Sequence, residues 1–119
     1  MTGLISRHIV TIDGERQIHY RRAGDGSPII LLHQSPKSSE EYIPLITELS
    51  SDYTVFAPDT PGNGLSDPLP INNPSMNDFA KNVVKFMDAI GIEKCPVYGF
   101  HTGGSCTLEL SWSFPERVT

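Results

Sequence analysis

Basic runs, long apolar stretches and cysteines at metal-binding spacing are all missing from this sequence. Nine Lys and Arg face fourteen Asp and Glu, for a net charge of −5. Arg21-Arg22 is a lone basic pair and reads as a solvated strand end. Nothing supplies the positive footprint that nucleic acid or an anionic membrane requires, so neither is expected as a partner. The longest apolar stretch, Ile29 to Leu32, is far short of the ~20 residues that span a bilayer. The opening MTGLISRHIV lacks a charged start, an apolar core and a small-residue cleavage site. No signal peptide is therefore expected, and a cytoplasmic location is the default. The cysteines Cys95 and Cys106 fit no C-x-x-C metal or redox motif and read as two reduced packing thiols.

What is present suits one small packed domain: 119 residues, 38% apolar and 19% charged. No internal repeat or low-complexity segment interrupts it. HIVTIDGERQIHYRRAG predicts two antiparallel strands around a tight Asp13-Gly14 turn. The unbroken apolar run in SPIILLH, residues 27–33, predicts a strand covered on both faces, as in a parallel sheet. SSEEYIPLITELSS predicts a helix capped by Ser38 or Ser39. Its first turn holds Glu40 and Glu41, where the helix dipole favours negative charge, and Pro44 sits early enough to be tolerated. YTVFAPD, residues 53–59, is a further strand that runs into the turn-rich DTPGNGLSDPLP. The next helix begins at a capping box, Ser75-x-x-Asp78, and carries Phe79, Val83, Phe86, Met87 and Ile90 on one stripe. Gly91 ends it. CPVYG then supplies a strand and TGGSCTLELSWSF a helix that Pro115 closes. The order β-β-β-α-β-α-β-α predicts an α/β sheet, parallel apart from the first hairpin, with FPERVT lying where a next strand would begin.

In open α/β sheets, ligand sites lie beyond the carboxyl ends of the strands. Three such ends carry polar or glycine-rich residues: His33-Gln34-Ser35-Pro36, Asp59 with the following PGNGLSD, and Gly99-Phe100-His101-Thr102-Gly103-Gly104. The last is G-x-H-x-G on a strand-to-helix turn. Together, in this order and spacing, they resemble the α/β-hydrolase superfamily, whose members carry an H-G-x-P-like oxyanion loop, a D-x-x-G-x-G-x-S-D loop and a G-x-S-x-G elbow. The resemblance covers essentially the whole chain but only the N-terminal half of a typical member. It implies an α/β-hydrolase-like, mostly parallel sheet with an antiparallel N-terminal hairpin, truncated after the elbow helix, and no second domain within residues 1–119.

Two departures stand out. The tip is His101, where the family has Ser, Asp or Cys, and Gln34 stands where Gly is usual. The resemblance implies that the backbone N–H groups of Ser35 and Thr102 form an oxyanion hole. It implies that His33, Gln34 and Phe100 line a binding site for a small-molecule substrate or ligand. It also implies an acid and a base after later strands, and neither lies within these residues. Imidazole can act as nucleophile or general base near neutral pH. A parent hydrolase acting on an ester, epoxide or lactone is one reading; a non-catalytic binder or an inactive fragment is the alternative. Asp59, Ser66 and Asp67 read as loop-fixing groups, His33 as a structural histidine and Ser105 as a helix residue about one turn past His101. His33, Asp59 and His101 are also a conceivable metal set, but no local H-x-x-x-H or H-E-x-x-H spacing supports it. GFHTGGSC is not a dinucleotide fingerprint, so no cofactor is expected. The flank of the CPVYG strand is expected to be bare in this chain, and self-association is expected from it.

Overall fold

A computed structural model describes residues 4–119. Its strands are β1 (Ser6–Ile12), β2 (Arg16–Ala23), β3 (Ser27–Leu32), β4 (Tyr53–Pro58) and β5 (Val97–Gly99). Its α-helices are α1 (Ile43–Leu49), α2 (Met76–Ile90) and α3 (Thr102–Ser113), with 3-10 turns at Ser39–Tyr42 and Pro115–Arg117. The five strands form one sheet in the order β1-β2-β4-β3-β5. Strand β2 pairs antiparallel with β1 and β4, whereas β3 pairs parallel with β4 and β5.

Local chemistry accounts for the elements. Asp13 and Gly14 both take positive φ, 55° and 76°, as a two-residue hairpin turn requires. Ser38 caps the turn before α1 by accepting the Glu40 N–H. Ser75 and Asp78 form a reciprocal capping box at the start of α2, and Gly91 closes that helix in the left-handed conformation. The continuous apolar run of β3 divides between two cores. Ile30 and Leu32 join α2 and α3 residues such as Val83, Phe86 and Leu110. Leu31 points the other way, onto Tyr42 and Ile46 beside α1. Each of these fully buried large side chains contributes about 1.5–3 kcal/mol. The sheet is thus covered on both faces, and the carboxyl ends of β3, β4 and β5 emerge together at one edge of the layers.

The hairpin departs from simple alternation in one respect. Ile9 is exposed while Val10 and Ile12 turn toward the core, because the β1 side chains at even positions are the ones facing α2. At the other end of the sheet, Cys95 and Val118 form a parallel bridge. The Cys95 N–H donates to the Arg117 carbonyl at 3.1 Å, and the Thr119 N–H donates to the Cys95 carbonyl at 3.1 Å. Beyond that bridge, the outer edge of Val97–Gly99 has no strand partner among the described residues.

Candidate active site

The turn between β5 and α3 is as tight as its glycines allow. A Cβ on Gly99 would lie 2.1 Å from the Gly103 carbonyl oxygen, and one on Gly103 would lie 2.0 Å from that of Leu32. Only hydrogen fits at either place, so α3 starts directly on top of β3 and β5. Between them stands His101, at φ 57° and ψ −119°. That conformation costs a non-glycine residue of order 1–3 kcal/mol, and it is where strand reverses into helix. The His101 ring is exposed. It meets the ring of Phe100 edge-on, centroids 4.4 Å apart, and Phe100 is itself 47% exposed. No side-chain hydrogen bond engages the His101 imidazole among the described residues.

Beside this turn runs the loop after β3. His33 is buried. Its Nε2 accepts the Thr60 N–H at 2.9 Å, so that nitrogen carries no proton, and its Nδ1 donates to the Gln34 carbonyl at 2.8 Å. Both ring nitrogens are spent on backbone, and only the edge of the ring is left to face a ligand. The Gln34 N–H donates to Glu41 Oε2 at 3.3 Å. Ser35 comes next, and its N–H donates to the Thr102 side-chain hydroxyl at 2.6 Å. Ser35 and Thr102 are therefore adjacent in space although 67 positions apart. The backbone N–H of Thr102 itself, in the first turn of α3, has no acceptor among the described residues.

The third strand end is a buried brace. Asp59 accepts the Ser39 N–H at 2.8 Å through Oδ1, and through Oδ2 the Leu65 N–H at 3.0 Å and the His19 Nδ1 at 2.9 Å. Burial pushes its pKa up, but hydrogen bonds from Leu65, Ser39 and His19 outweigh burial and hold the carboxyl below its ordinary value. Ser66 and Asp67 tie the same loop to β2: Ser66 Oγ accepts the His19 N–H at 3.0 Å and Asp67 Oδ2 accepts the Gln17 N–H at 2.8 Å. With its oxygens committed to two backbone N–H groups and the His19 ring, Asp59 fixes the loop rather than facing solvent. No group of three or more His, Cys, Asp or Glu stands close enough to hold a metal among the described residues, so His33, Asp59 and His101 do not converge.

A cavity of about 160 Å³ opens next to Thr102. It is lined by His33, Ser35, Thr60, Met76, Phe79 and Cys106 as well. A larger hollow of about 610 Å³ lies at the opposite end of the strands, around Gly24 and Ser50. In open α/β sheets the carboxyl ends carry the ligand, so the smaller cavity is the candidate. Burial pushes the Cys106 thiol up to about 12 and the Cys95 thiol up to about 11, which keeps both protonated and inert. Ser105 is exposed within α3, its N–H bonded to the His101 carbonyl at 3.0 Å. Sequence reasoning did not single out the Thr102 hydroxyl, His19, Met76 or Cys106 as parts of this site. All four owe their place to partners distant in the chain, and no local spacing marks them.

The family profile described as the alpha/beta hydrolase fold matches residues 27–119. The soluble epoxide hydrolase of Corynebacterium sp. (strain C12) is 36% identical over 118 residues, which is 99% of this chain and 41% of that protein. A 2-hydroxy-6-oxo-6-phenylhexa-2,4-dienoate hydrolase of Comamonas testosteroni is 31% identical over 105 residues, 85% of this chain and 37% of that protein. Among solved structures, naproxen esterase of Bacillus subtilis superposes with a TM-score of 0.88 at 30% identity, covering 97% of this chain and 41% of that one. The chain thus spans about two fifths of the length of these relatives.

Proposed function

Because the chain belongs to the α/β-hydrolase family, we propose that it forms the nucleophile-bearing part of a hydrolase acting on a small ester or lactone, with His101 at the nucleophile position. The observation that carries this reading is the backbone of His101. A strained tip, at φ 57° and ψ −119°, holds an exposed imidazole next in sequence to Thr102, whose hydroxyl accepts the Ser35 N–H. Such strain persists where function maintains it.

The chemistry narrows the substrate. In acyl transfer an imidazole nitrogen of His101 attacks the carbonyl carbon and a C–N bond forms. The carbonyl oxygen gains the electron pair and rests on the Thr102 N–H and, once the Thr102 hydroxyl has moved off it, on the Ser35 N–H. When the C–O bond to the alcohol breaks, the alcohol departs with the imidazole proton. Water then cleaves the acyl-imidazole to a carboxylic acid and free His101. An epoxide behaves differently: attack by the ring nitrogen leaves an alkyl–imidazole bond that water does not hydrolyse. Epoxide turnover would therefore require His101 to act as base toward a water. Esters and lactones suit a nucleophilic His101; epoxides suit only a basic one.

The family's acid and base are not among these residues, so the chain by itself is expected to cleave p-nitrophenyl acetate no faster than free imidazole. In a protein of the relatives' full length, His101→Ala is expected to abolish ester turnover, and rapid quench with mass spectrometry is expected to find the acyl group on His101. Unchanged turnover in His101→Ala would eliminate the catalytic role and leave the fold as a ligand-binding module.

A further inference from the structure

The outer edge of β1 lacks the devices that usually protect an edge strand. All seven residues of Ser6–Ile12 pair one to one with β2, so no bulge twists the edge away. The segment SRHIVTI holds no Pro, Gly, Lys, Asp or Glu, and its residues from Ile9 to Ile12 are all β-branched. Among the described residues, no strand pairs with its outer side.

The hydrogen bonds of β2 fix which β1 groups face outward. The His19 N–H donates to Ser66 Oγ at 3.0 Å, and the His19 carbonyl accepts the Asp59 N–H at 2.9 Å. The Gln17 N–H donates to Asp67 Oδ2 at 2.8 Å, and its carbonyl accepts the Asp67 N–H at 2.9 Å. Both residues thus turn their backbone groups away from β1. Their cross-strand partners, Ile9 and Thr11, therefore form non-hydrogen-bonded pairs with them and point N–H and C=O outward. Arg7 does the same by alternation. The side chains of Arg7, Ile9 and Thr11 are exposed as well, so both the edge and this face of it are open.

We propose that this edge pairs with the same edge of a second copy, antiparallel and centred on Ile9. Only residues with outward groups can exchange hydrogen bonds, so odd positions must face odd positions. The register that also pairs the whole strand sets Ile9 against Ile9 of the partner subunit, Arg7 against Thr11 and His8 against Val10. Arg7, Ile9 and Thr11 then each exchange both backbone bonds. The one full charge of the strand, Arg7, meets a neutral residue, so no like charges stand opposite. A two-fold axis through the Ile9 pair relates the copies, as an isologous dimer requires. Ile9 and Leu65, 60% and 65% exposed, line one hollow of about 390 Å³ at this edge, and pairing lays a second Ile9 beside the first. This match of the strand to itself favours a copy of the chain over an unrelated strand.

A seam one strand long is smaller than the standard interface of about 1,600 Å², so association is expected to be weak, and covalent trapping reads it. Directly opposed, hydrogen-bonded residues have Cα atoms about 5.5 Å apart, within disulfide reach. Cys95 and Cys106 are buried and stay out of the reaction. On mild oxidation Ile9→Cys is expected to give a disulfide-linked dimer. Thr11→Cys is expected to give little, because its two copies are offset along the seam by the distance from Arg7 to Thr11, about 14 Å. Arg7→Cys alone is expected to behave like Thr11→Cys, whereas a mixture of the two variants is expected to link. Ile9→Lys and Ile9→Glu, each setting like charges opposite one another, should each weaken association roughly tenfold, and mixing the two should restore it. Ile9 is exposed, so these variants fold. No dimer from Ile9→Cys, equal yields from Ile9→Cys and Thr11→Cys, or no recovery in the mixture of charged variants would overturn the proposal. The outer edge of β5 lies at the opposite end of the sheet, so association through it does not produce this pattern.

Discussion

Replacing Gly103 by alanine puts a methyl carbon 2.0 Å from the Leu32 carbonyl oxygen and 2.9 Å from that of His33. Neither atom is the end of a flexible side chain; both belong to the backbone that carries the Ser35 loop. To restore an ordinary contact, α3 and β3 must part by more than an ångström. Overpacking of a close-packed interior typically costs 1–3 kcal/mol, and a backbone-against-backbone clash belongs at the upper end, about 3 kcal/mol. Alanine returns about 1 kcal/mol in helix propensity. The net expectation is a loss of about 2 kcal/mol, from a total on the order of 6–18 kcal/mol for a chain of this length. Gly104→Ala is the control. Its methyl would lie 3.3 Å from the Gly99 carbonyl oxygen, so a shift of a few tenths of an ångström suffices and the propensity gain of up to about 1 kcal/mol is largely kept. In urea titrations followed by circular dichroism, Gly103→Ala should lower the midpoint by about 1 M, with Gly104→Ala at or above the parent. Midpoints for the two variants within about 0.3 M of each other would refute the close-approach account of the elbow.

Asp59→Asn keeps the shape but removes the charge that three donors share, and should cost about 2–4 kcal/mol by urea titration. The Asp59 carboxyl lies below its ordinary 3.8 in the folded chain. Its stabilising contribution is thus present above pH 4 and is lost as pH falls through the depressed folded value, so an acid titration of the parent should show a larger loss below pH 4 than Asp59→Asn does, the variant keeping only the loss from other depressed carboxyls such as Asp13, Asp78 and Glu109. His101→Gly should raise the urea midpoint, because glycine relieves about 1–3 kcal/mol of backbone strain, partly offset by its greater freedom when unfolded; a lowered midpoint would show the tip to be unstrained. Neither Cys95 nor Cys106 should react with a thiol reagent until the chain unfolds, since burial holds both thiols protonated. The outer edge of β5 has exposed Tyr98 near it, and α3 displays Leu108 and Trp112 at 74% and 85% exposure. We propose that the isolated chain self-associates through them; light scattering that finds a stable monomer at tens of micromolar would contradict it.

The parts of this fold that were legible in the sequence are those written in neighbouring residues. Asp13-Gly14 announces its turn because few other pairs accept positive φ twice. Ser75 and Asp78 announce a helix start because their reciprocal bonds span three positions. Gly99 and Gly103 announce the elbow because both must be side-chain-free for α3 to land on β3. The sheet order was not legible from the residues alone: that β4 lies between β2 and β3 is decided by which faces bury together, not by any local pattern. His19 reads in sequence as one more alternating strand residue. Its burial against Asp59, 40 positions away, becomes apparent only in three dimensions. The same holds for the Thr102 hydroxyl, which reads as a plain helix opener and turns out to rest on the Ser35 amide.

The distance along the chain between Ser35 and Thr102, 67 positions, also sets an order of events during synthesis. At about 5–20 residues per second, the Ser35 loop leaves the ribosome roughly 3–13 s before the residue that meets it. The clasp from His33 to Thr60 spans 27 positions and can close within the first few seconds of that interval. The loop after β3 is thus set by β3 and β4 while β5 and α3 are still being made, and the elbow arrives after it. A helix that comes late must land on a platform already in place. A bulkier residue at Gly103 would be met as a failed landing during synthesis, before it was felt as lost stability in the finished chain.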